Sequence, residues 1–488
     1  MIKKDGTIVL KNFQVGAAES PYLGFGKMQC VDTVSLPGVA RIQPRTTLKY
    51  STTGLPMAIV RDLNGNEFVG TESGYLYKNG VAIQTGLTRV YDLLVFKNYL
   101  LIFRDTVIDA YGPLDNAGVA YFSNWKTGLT SGYFHKAVAD PDNDVLIGNA
   151  GFIARITAFT AAAAGSPPTA TFTAEEKTLP DGHFARAMAM KGIFLAIGTQ
   201  GGRGYTDYNH GVGNIYFWDR ASTLLEDQFA QFNEGGIHQI LNIGNSLVVH
   251  AGIFGNVYQV NGVNFSDPKK INFNVVNNAT TMGYPNAIGK IGKEIILGTS
   301  TDQDSFPSES THGVWTLNQG AASLRNIIST DNYGASQDLK IGAIDTVNSD
   351  IRRSILIGWE DGSTYGVDEI DNRLYDEYQT KIEGPLENVG EYLNKAPYSQ
   401  LEIYLGHPLV AGQTIRVSAR KNLEEDYVVL GTYDTTNTDA DQIAIFDPTV
   451  SVVDAIFVQL LIEMKQATTL SYLDNIDLIA VLLKNPIK

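Results

Sequence analysis

The sequence predicts an all-β fold, a β-propeller of about seven blades carrying an N-terminal arm and a C-terminal β-sandwich-like domain. Three observations lead there. The 488 residues include Gly 48, Tyr 24 and Phe 21. Glycine at roughly 10% exceeds the usual ~7%, which favours turns, and aromatic residues favour strands. One hairpin pattern recurs along most of the chain. Its mean spacing is roughly 47 residues, within the period of about 40 to 50 residues of a four-stranded propeller blade.

The arm is assigned to residues 1–50, which lie outside the repeat. They hold two strand candidates and an exposed "AESPYLGFG" (residues 18–26). Such an arm is suited to latch onto a neighbour or onto the propeller, with Arg41 and Arg45, flanking Pro44, available to acidic surfaces.

The propeller is assigned to residues 51–371. Its pattern is clearest in "VLIGNAGFIARI" (145–156), an apolar run, a turn at Asn149, Ala150 and Gly151, and a second apolar run. Relatives are "EFVGTESGYLYK" (67–78), "YLLIFRDTVIDAYG" (99–112), "SLVVHAGIFGNVYQV" (246–260) and "SILIGWEDGSTYGV" (354–367). Two more carry insertions, at 201–213 and 299–313. A further apolar run precedes most of them, with starts near residues 57, 91, 135, 186, 237, 285 and 340. The unit is therefore three recognisable strands and a variable fourth. One such sheet cannot bury both faces, whereas radial stacking buries them. Small residues are expected on the inner strand, where blades crowd: Gly148, Ala196, Gly198, Gly298 and Gly358. Residues 158–174, small and broken by Pro167 and Pro168, read as an exposed loop or linker. Unrelated hairpins in β-sandwiches are the competing reading, favoured by the unequal spacing.

Residues 372–395 are assigned as a helical or extended connector, and residues 396–488 as the sandwich domain. Alternation is plain in "TIRVSAR" (414–420), and Gly412 and Gly431 mark turns. Five to seven strands in about 90 residues fit a sandwich. The last apolar run, 473–483, reads as a strand or a short buried helix.

The net charge of −15 excludes sequence-independent wrapping of nucleic acid, because the surface repels phosphates. The single Cys30 excludes an internal disulfide framework and a zinc ribbon, and is expected as a small buried hydrophobe. The N-terminus lacks the apolar core of a signal peptide, and no apolar run of membrane-spanning length occurs. Synthesis in a cytoplasm is the expectation.

The search for chemistry assigns no catalytic, cofactor-binding or metal-binding residue and no cofactor. The histidines, at 135, 183, 210, 238, 250, 312 and 407, show no metal-ligand spacing; a propeller axis could gather His238 or His250, and a satisfied structural role is the expectation for them. No nucleophile elbow or phosphate loop is present, and "GTQGGRG" (198–204) reads as a flexible loop. The acidic clusters 141–144, 301–304 and 438–442 lack EF-hand spacing and read as solvated turns. "STHGVWTL" (310–317) ends like a sialidase Asp-box but lacks its Ser-x-Asp-x-Gly order. A glycosidase needs a carboxylate pair on the central face.

Both ends carry short motifs of a known kind. "SLPGVARIQP" (35–44) resembles a segment near the start of tailed-bacteriophage virion proteins, where an Asp-x-x-x-x-Pro-Gly-Val phrase introduces a propeller. "PLVAGQTIRVSARKN" (408–422) resembles the Pro-Leu-x-x-Gly-x-x-Ile-x-Val phrase of a C-terminal sandwich in such proteins. The resemblance implies a structural tail subunit (nozzle, distal-tail or tail-ring component) located in the virion. It implies partners that are neighbouring copies in a ring and other tail or portal/adaptor proteins, with no specific nucleic-acid readout and no membrane span. It supplies no catalytic residue. The alternative is a propeller enzyme or lectin-like domain acting on or binding host-surface glycans.

Overall fold

A computed structural model describes residues 8–11, 27–29, 31–32, 39–42, 46–115, 118–201, 212–222, 225, 229–232, 235–252, 255–262, 264–265, 269–270, 281–292, 294–301, 313–318, 321–325, 339–348, 353–370, 380–385, 387–388, 400–421, 426–436, 443–446, 457–467 and 474–484. Seven antiparallel sheets, in sequence order, form a closed β-propeller. Blade 1 is Pro56–Arg61, Glu67–Thr71, Leu76–Lys78 and Val81–Gln84, and blade 2 is Val90–Phe96, Tyr99–Arg104, Val107–Gly112 and Ala120–Thr127. Blade 3 is Ala137–Ala139, Val145–Asn149, Phe152–Thr160 and Thr169–Thr178, and blade 4 is Phe184–Lys191, Phe194–Gln200, Gly213–Trp218 and Phe229–Phe232. Blades 5 and 6 begin on Ile237–Asn242 and Ile288–Ile291. Blade 7 is Lys340–Asn348, Arg353–Asp361 and Thr364–Ile370, completed by Thr46–Ser51 from the far end of the chain. Each first strand packs on the next around the axis, and Lys340–Asn348 packs on Pro56–Arg61.

Apolar clusters fill the seams between blades. Phe68 and Leu76 meet Leu93 and Ile102 between blades 1 and 2, and Leu146 and Ile153 meet Leu195 and Ile197 between blades 3 and 4. Each such side chain contributes about 1.5–3 kcal/mol on burial, so stacking supplies the stability that a lone four-stranded sheet lacks.

The crowding expected on the inner strand falls on the second strand. A Cβ on Gly198 would lie 2.6 Å from Ile237 of the next blade, one on Gly298 2.4 Å from Ile341, and one on Gly358 2.5 Å from Pro56. Gly148 and Gly70 occupy the same place against Ala185 and Val90. These glycines let the next blade's first strand approach, whereas in blades 2 and 5 Phe103 and His250 stand at this position.

Residues 158–174 belong to a hairpin of blade 3 rather than a linker, exposed at its tip and at alternate positions along its strands. Phe159 meets Phe96, Tyr99 and Trp125 of blade 2 edge to face, and Trp125 Nε1 donates to Pro168 O at 2.6 Å.

The arm is divided among four sheets, one of them the small pair of Val31–Asp32 with Arg41–Ile42. Ile8–Lys11 pairs with Leu478–Lys484, which joins Gln400–Leu405 and Ile443–Phe446 in one sandwich face. Lys27–Gln29 pairs with Thr380–Glu383 of the other face, which continues through Phe457–Lys465 and Thr414–Arg420 to Val428–Asp434. Gln29 also pairs in parallel with Leu324 on the outer strand of blade 6, so one sheet runs from propeller to sandwich. Thr46–Ser51 belongs to the propeller. Within the connector, Thr380–Glu383 and Glu387–Asn388 are strands, and the final apolar run is a strand, not a helix. Ile8, Leu10, Ile42, Leu401, Ile415, Tyr433, Ile462 and Val481 build the sandwich core. Cys30, Arg45 and residues 202–211 and 302–312 of the two insertions lie outside the described residues.

Candidate functional site at the propeller axis

The first strands share a register fault. Pairing with the second strand skips Met57, Tyr91, Arg186, His238 and Gly342, each a β-bulge near the strand start. In the other two blades Gly148 N donates to Lys136 O and Gly298 N to Ala287 O, which makes His135 and Asn286 the equivalents. A bulge re-aims the side chain and interrupts pairing. The next residues are Ala58, Asp92, Lys136, Ala187, Gln239, Ala287 and Ala343. These two levels bring Tyr91, Asp92, His135, Lys136, Arg186, His238, Gln239 and Asn286 to the axis.

Their polar atoms tie blades together. The Asp92 carboxylate accepts from Ala137 N of blade 3 at 2.7 Å and from Lys136 Nζ at 3.1 Å. Lys136 Nζ also donates to Asn286 Oδ1 at 2.6 Å. Asn286 Nδ2 crosses the axis to Met57 O at 2.9 Å and Tyr91 O at 3.0 Å, so one side chain joins blade 6 to blades 1, 2 and 3. Gln239 Nε2 lies 2.9 Å from Tyr284 O and 3.0 Å from both Ala287 O and Gly298 O. Arg186 donates to Gln200 Oε1 at 3.1 Å and to Gly283 O at 3.2 Å.

Burial sets the ionisation of this girdle. It lifts the Asp92 carboxyl above the usual carboxylate range despite the opposing pull of Lys136. It lowers His135. Burial, then the charge of Arg186, depresses His250 to about 3. His238 is likewise held well below its ordinary value by burial, followed by His250 and Arg186. The axis does gather His238 and His250, as anticipated, with rings 5.0 Å apart. His250 Nδ1 faces Gln239 Oε1 at 2.9 Å and His238 Nε2 faces Gly252 O at 3.1 Å. Fully buried histidines this weakly basic are neutral structural groups, far from the near-neutral pKa of a general base. Ser131 Oγ donates to the Asp105 carboxylate at 2.6 Å, while His135 Nε2 faces the Asp105 backbone oxygen at 2.9 Å, so these three form no serine–histidine relay.

The other sequence candidates are accounted for locally. Asp140 Oδ1 accepts the backbone N–H of Asp142 at 2.9 Å and of Asp144 at 3.0 Å, while Arg220 holds Asp140 and Asp142 and Arg155 holds Asp144. The 141–144 cluster is thus a turn neutralised by arginine. Asp62 organises the equivalent turn of blade 1. Residues 302–304 and 438–442 lie outside the described residues, as do His210, His312 and 202–204. His183 Nδ1 lies 3.0 Å from Thr199 Oγ1, and His407 Nε2 lies 3.6 Å from Asp477. The strand Gly313–Asn318 contains the end of the Asp-box-like stretch. Arg41, expected to be available to acidic surfaces, engages Asp477 of its own chain. Among the described residues, no group of three or more His, Cys, Asp or Glu is placed to hold a metal, and no helix is long and apolar enough to cross a membrane.

Sequence reasoning missed Asp92, Lys136, Arg186, Gln239 and Asn286. Their signal was register: counting back from the crowded second-strand position by 11 or 12 residues reaches this level in six blades.

Comparison with known proteins adds likenesses of shape. No family model matches the chain, and no curated protein matches it. Among solved structures, the extracellular domain of a hybrid two-component system from B. thetaiotaomicron aligns with TM-score 0.43 and 13% identity over 76% of this chain and 44% of that one. This chain therefore spans less than half of that domain. An exo-beta-1,3-galactanase from Phanerochaete chrysosporium aligns with TM-score 0.30 and 9% identity over 88% and 99%. A 6-phosphogluconolactonase from Bacteroides uniformis aligns with TM-score 0.35 and 13% identity over 62% and 96%. The fold assignment rests on the sheet order of the chain itself.

Proposed function

We propose that the chain is a structural, non-catalytic subunit of a bacteriophage tail, of nozzle, distal-tail or tail-ring kind, forming symmetric oligomers around the DNA exit path. One observation carries this reading. The described parts of the two segments that resemble tail proteins, residues 39–42 and 408–421, converge on one seam. Arg41 donates from Nε and Nη2 to the Asp477 carboxylate at 2.5 and 2.9 Å, Ala40 pairs with Leu478, and Ile42 N donates to Asn475 Oδ1 at 3.1 Å. From the other segment, Gln413 donates to Asp474 O and Gln466 Oε1. Two distant motifs thus meet to fix the sandwich, which the sheet through Lys27–Gln29 joins to the propeller. A subunit that carries load in a ring needs such locking of its modules. The glycan-enzyme reading requires accessible carboxylates at the axis, where Asp92 is buried against Lys136.

Gold-labelled antibody raised against the chain, applied to particles of the phage that carries its gene, tests the proposal. Label at the tail or portal vertex is expected. Label spread over the capsid, or a chain found in infected cells but missing from particles, overturns it.

A further inference from the structure

Beneath the Asn286 bridge the axis widens into a cavity of about 420 Å3 with contributions from all seven blades. That size lies toward the small end of the range of about 300–1,000 Å3 for small-molecule sites. Pro285, Asn286 and Lys136 lie at its closed end, and exposed Ala139 and Asn242 mark its mouth. Between them, half-buried aliphatic side chains line the wall: Val60, Leu94, Val138, Met190, Leu241 and Ile288, one from each of six blades. Asp92 at the closed end is 2% exposed, but the Lys136 side chain is 22% exposed. Asp92 Oδ2 and Asn286 Oδ1 engage its ammonium, which carries three N–H donors.

We propose that this cavity is a binding site for a small amphipathic carboxylate, its head on the Lys136 ammonium and its apolar body against the aliphatic wall. A lysine at the end of an apolar well selects anion over cation, because the charge is read in a medium of low dielectric. The wall contributes affinity through burial of apolar surface. The Asp92 contact holds the ammonium toward the axis, and the Asn286 contact fixes its depth. The site goes beyond the structural role proposed above and does not depend on it.

Octanoate, octanol and octylammonium, each titrated calorimetrically into the intact chain, test the site. Octanoate is expected to bind one per chain, about tenfold or more tighter than octylammonium, which corresponds to about 1.4 kcal/mol. Lys136→Met is expected to remove the preference of octanoate over octanol. Should that variant fail to fold, Ala139→Trp, at an exposed position on the mouth, is expected to abolish octanoate binding. Equal binding of octanoate and octylammonium, no saturable binding, or undiminished binding by Ala139→Trp overturns the proposal.

Discussion

The propeller and the sandwich bury different things at their centres. The sandwich core is aliphatic, with Ile382, Leu401, Val417, Leu460 and Val481 packed between two faces. Its ion pairs, Arg420 with Glu383 and Lys484 with the buried Glu402, lie at its margin with their cations partly exposed. The propeller centre holds Asp92, Lys136, Arg186, His135, His238 and Gln239. The reason is geometric. A sandwich covers each inner face with another sheet, whereas every first strand of a propeller has an unpaired edge toward the axis, whose backbone groups need partners. Gln239 and Asn286 show the solution, each giving its amide to backbone carbonyls of other blades.

Ways to break this contrast follow from it. Removing residues 1–51 takes a strand from each face of the sandwich and the closing strand from blade 7. The whole stability of about 5–15 kcal/mol is expected to be lost, seen as absence of a cooperative thermal transition. At the axis, Asp92→Ala leaves the Lys136 charge without its carboxylate and is expected to cost about 3–5 kcal/mol in urea unfolding. Gly198→Val drives a side chain into Ile237 and is expected to cost about 2–3 kcal/mol. Gly151→Ala, where the added Cβ meets nothing within 4 Å, is expected to change stability by less than about 1 kcal/mol.

Acid offers a milder probe. His238 and His250 have folded pKa values below the unfolded ~6.5. Their full contribution is present above about pH 6.5. It declines on acidification toward the folded pKa of His250, about 3, as the unfolded chain takes up protons first. His250 is expected to cost about 2 kcal/mol at pH 5, with His238 adding in the same direction, and His250→Asn is expected to flatten the urea midpoint between pH 7 and 5. The smallest effect is expected from Arg155→Ala at the blade 3 turn, below about 1 kcal/mol, because Arg155 and Asp144 remain partly solvated.

The blades were legible because their physics is local. An apolar run, a turn and a second apolar run announce a hairpin within a dozen residues, and the starts predicted at 57, 91 and 186 are themselves bulge positions. The closing strand Thr46–Ser51 was illegible because its partner is remote: Thr46 donates to Asp368 Oδ2, 322 residues away, at 2.6 Å. Asp92 and Lys136 looked like lone charges in apolar runs, and only strand register brings them to one level. Gly148 was rightly singled out in "VLIGNAGFIARI", but for the second strand, where an added Cβ would lie 3.2 Å from Ala185, not the first.

The central claim is that this locked propeller-and-sandwich unit is made to assemble in rings. Electron microscopy of the purified full chain, with its mass measured by light scattering on the same sample, tests it most directly. Closed rings of one copy number are the result expected, while a monodisperse monomer at all concentrations and salt conditions contradicts the account.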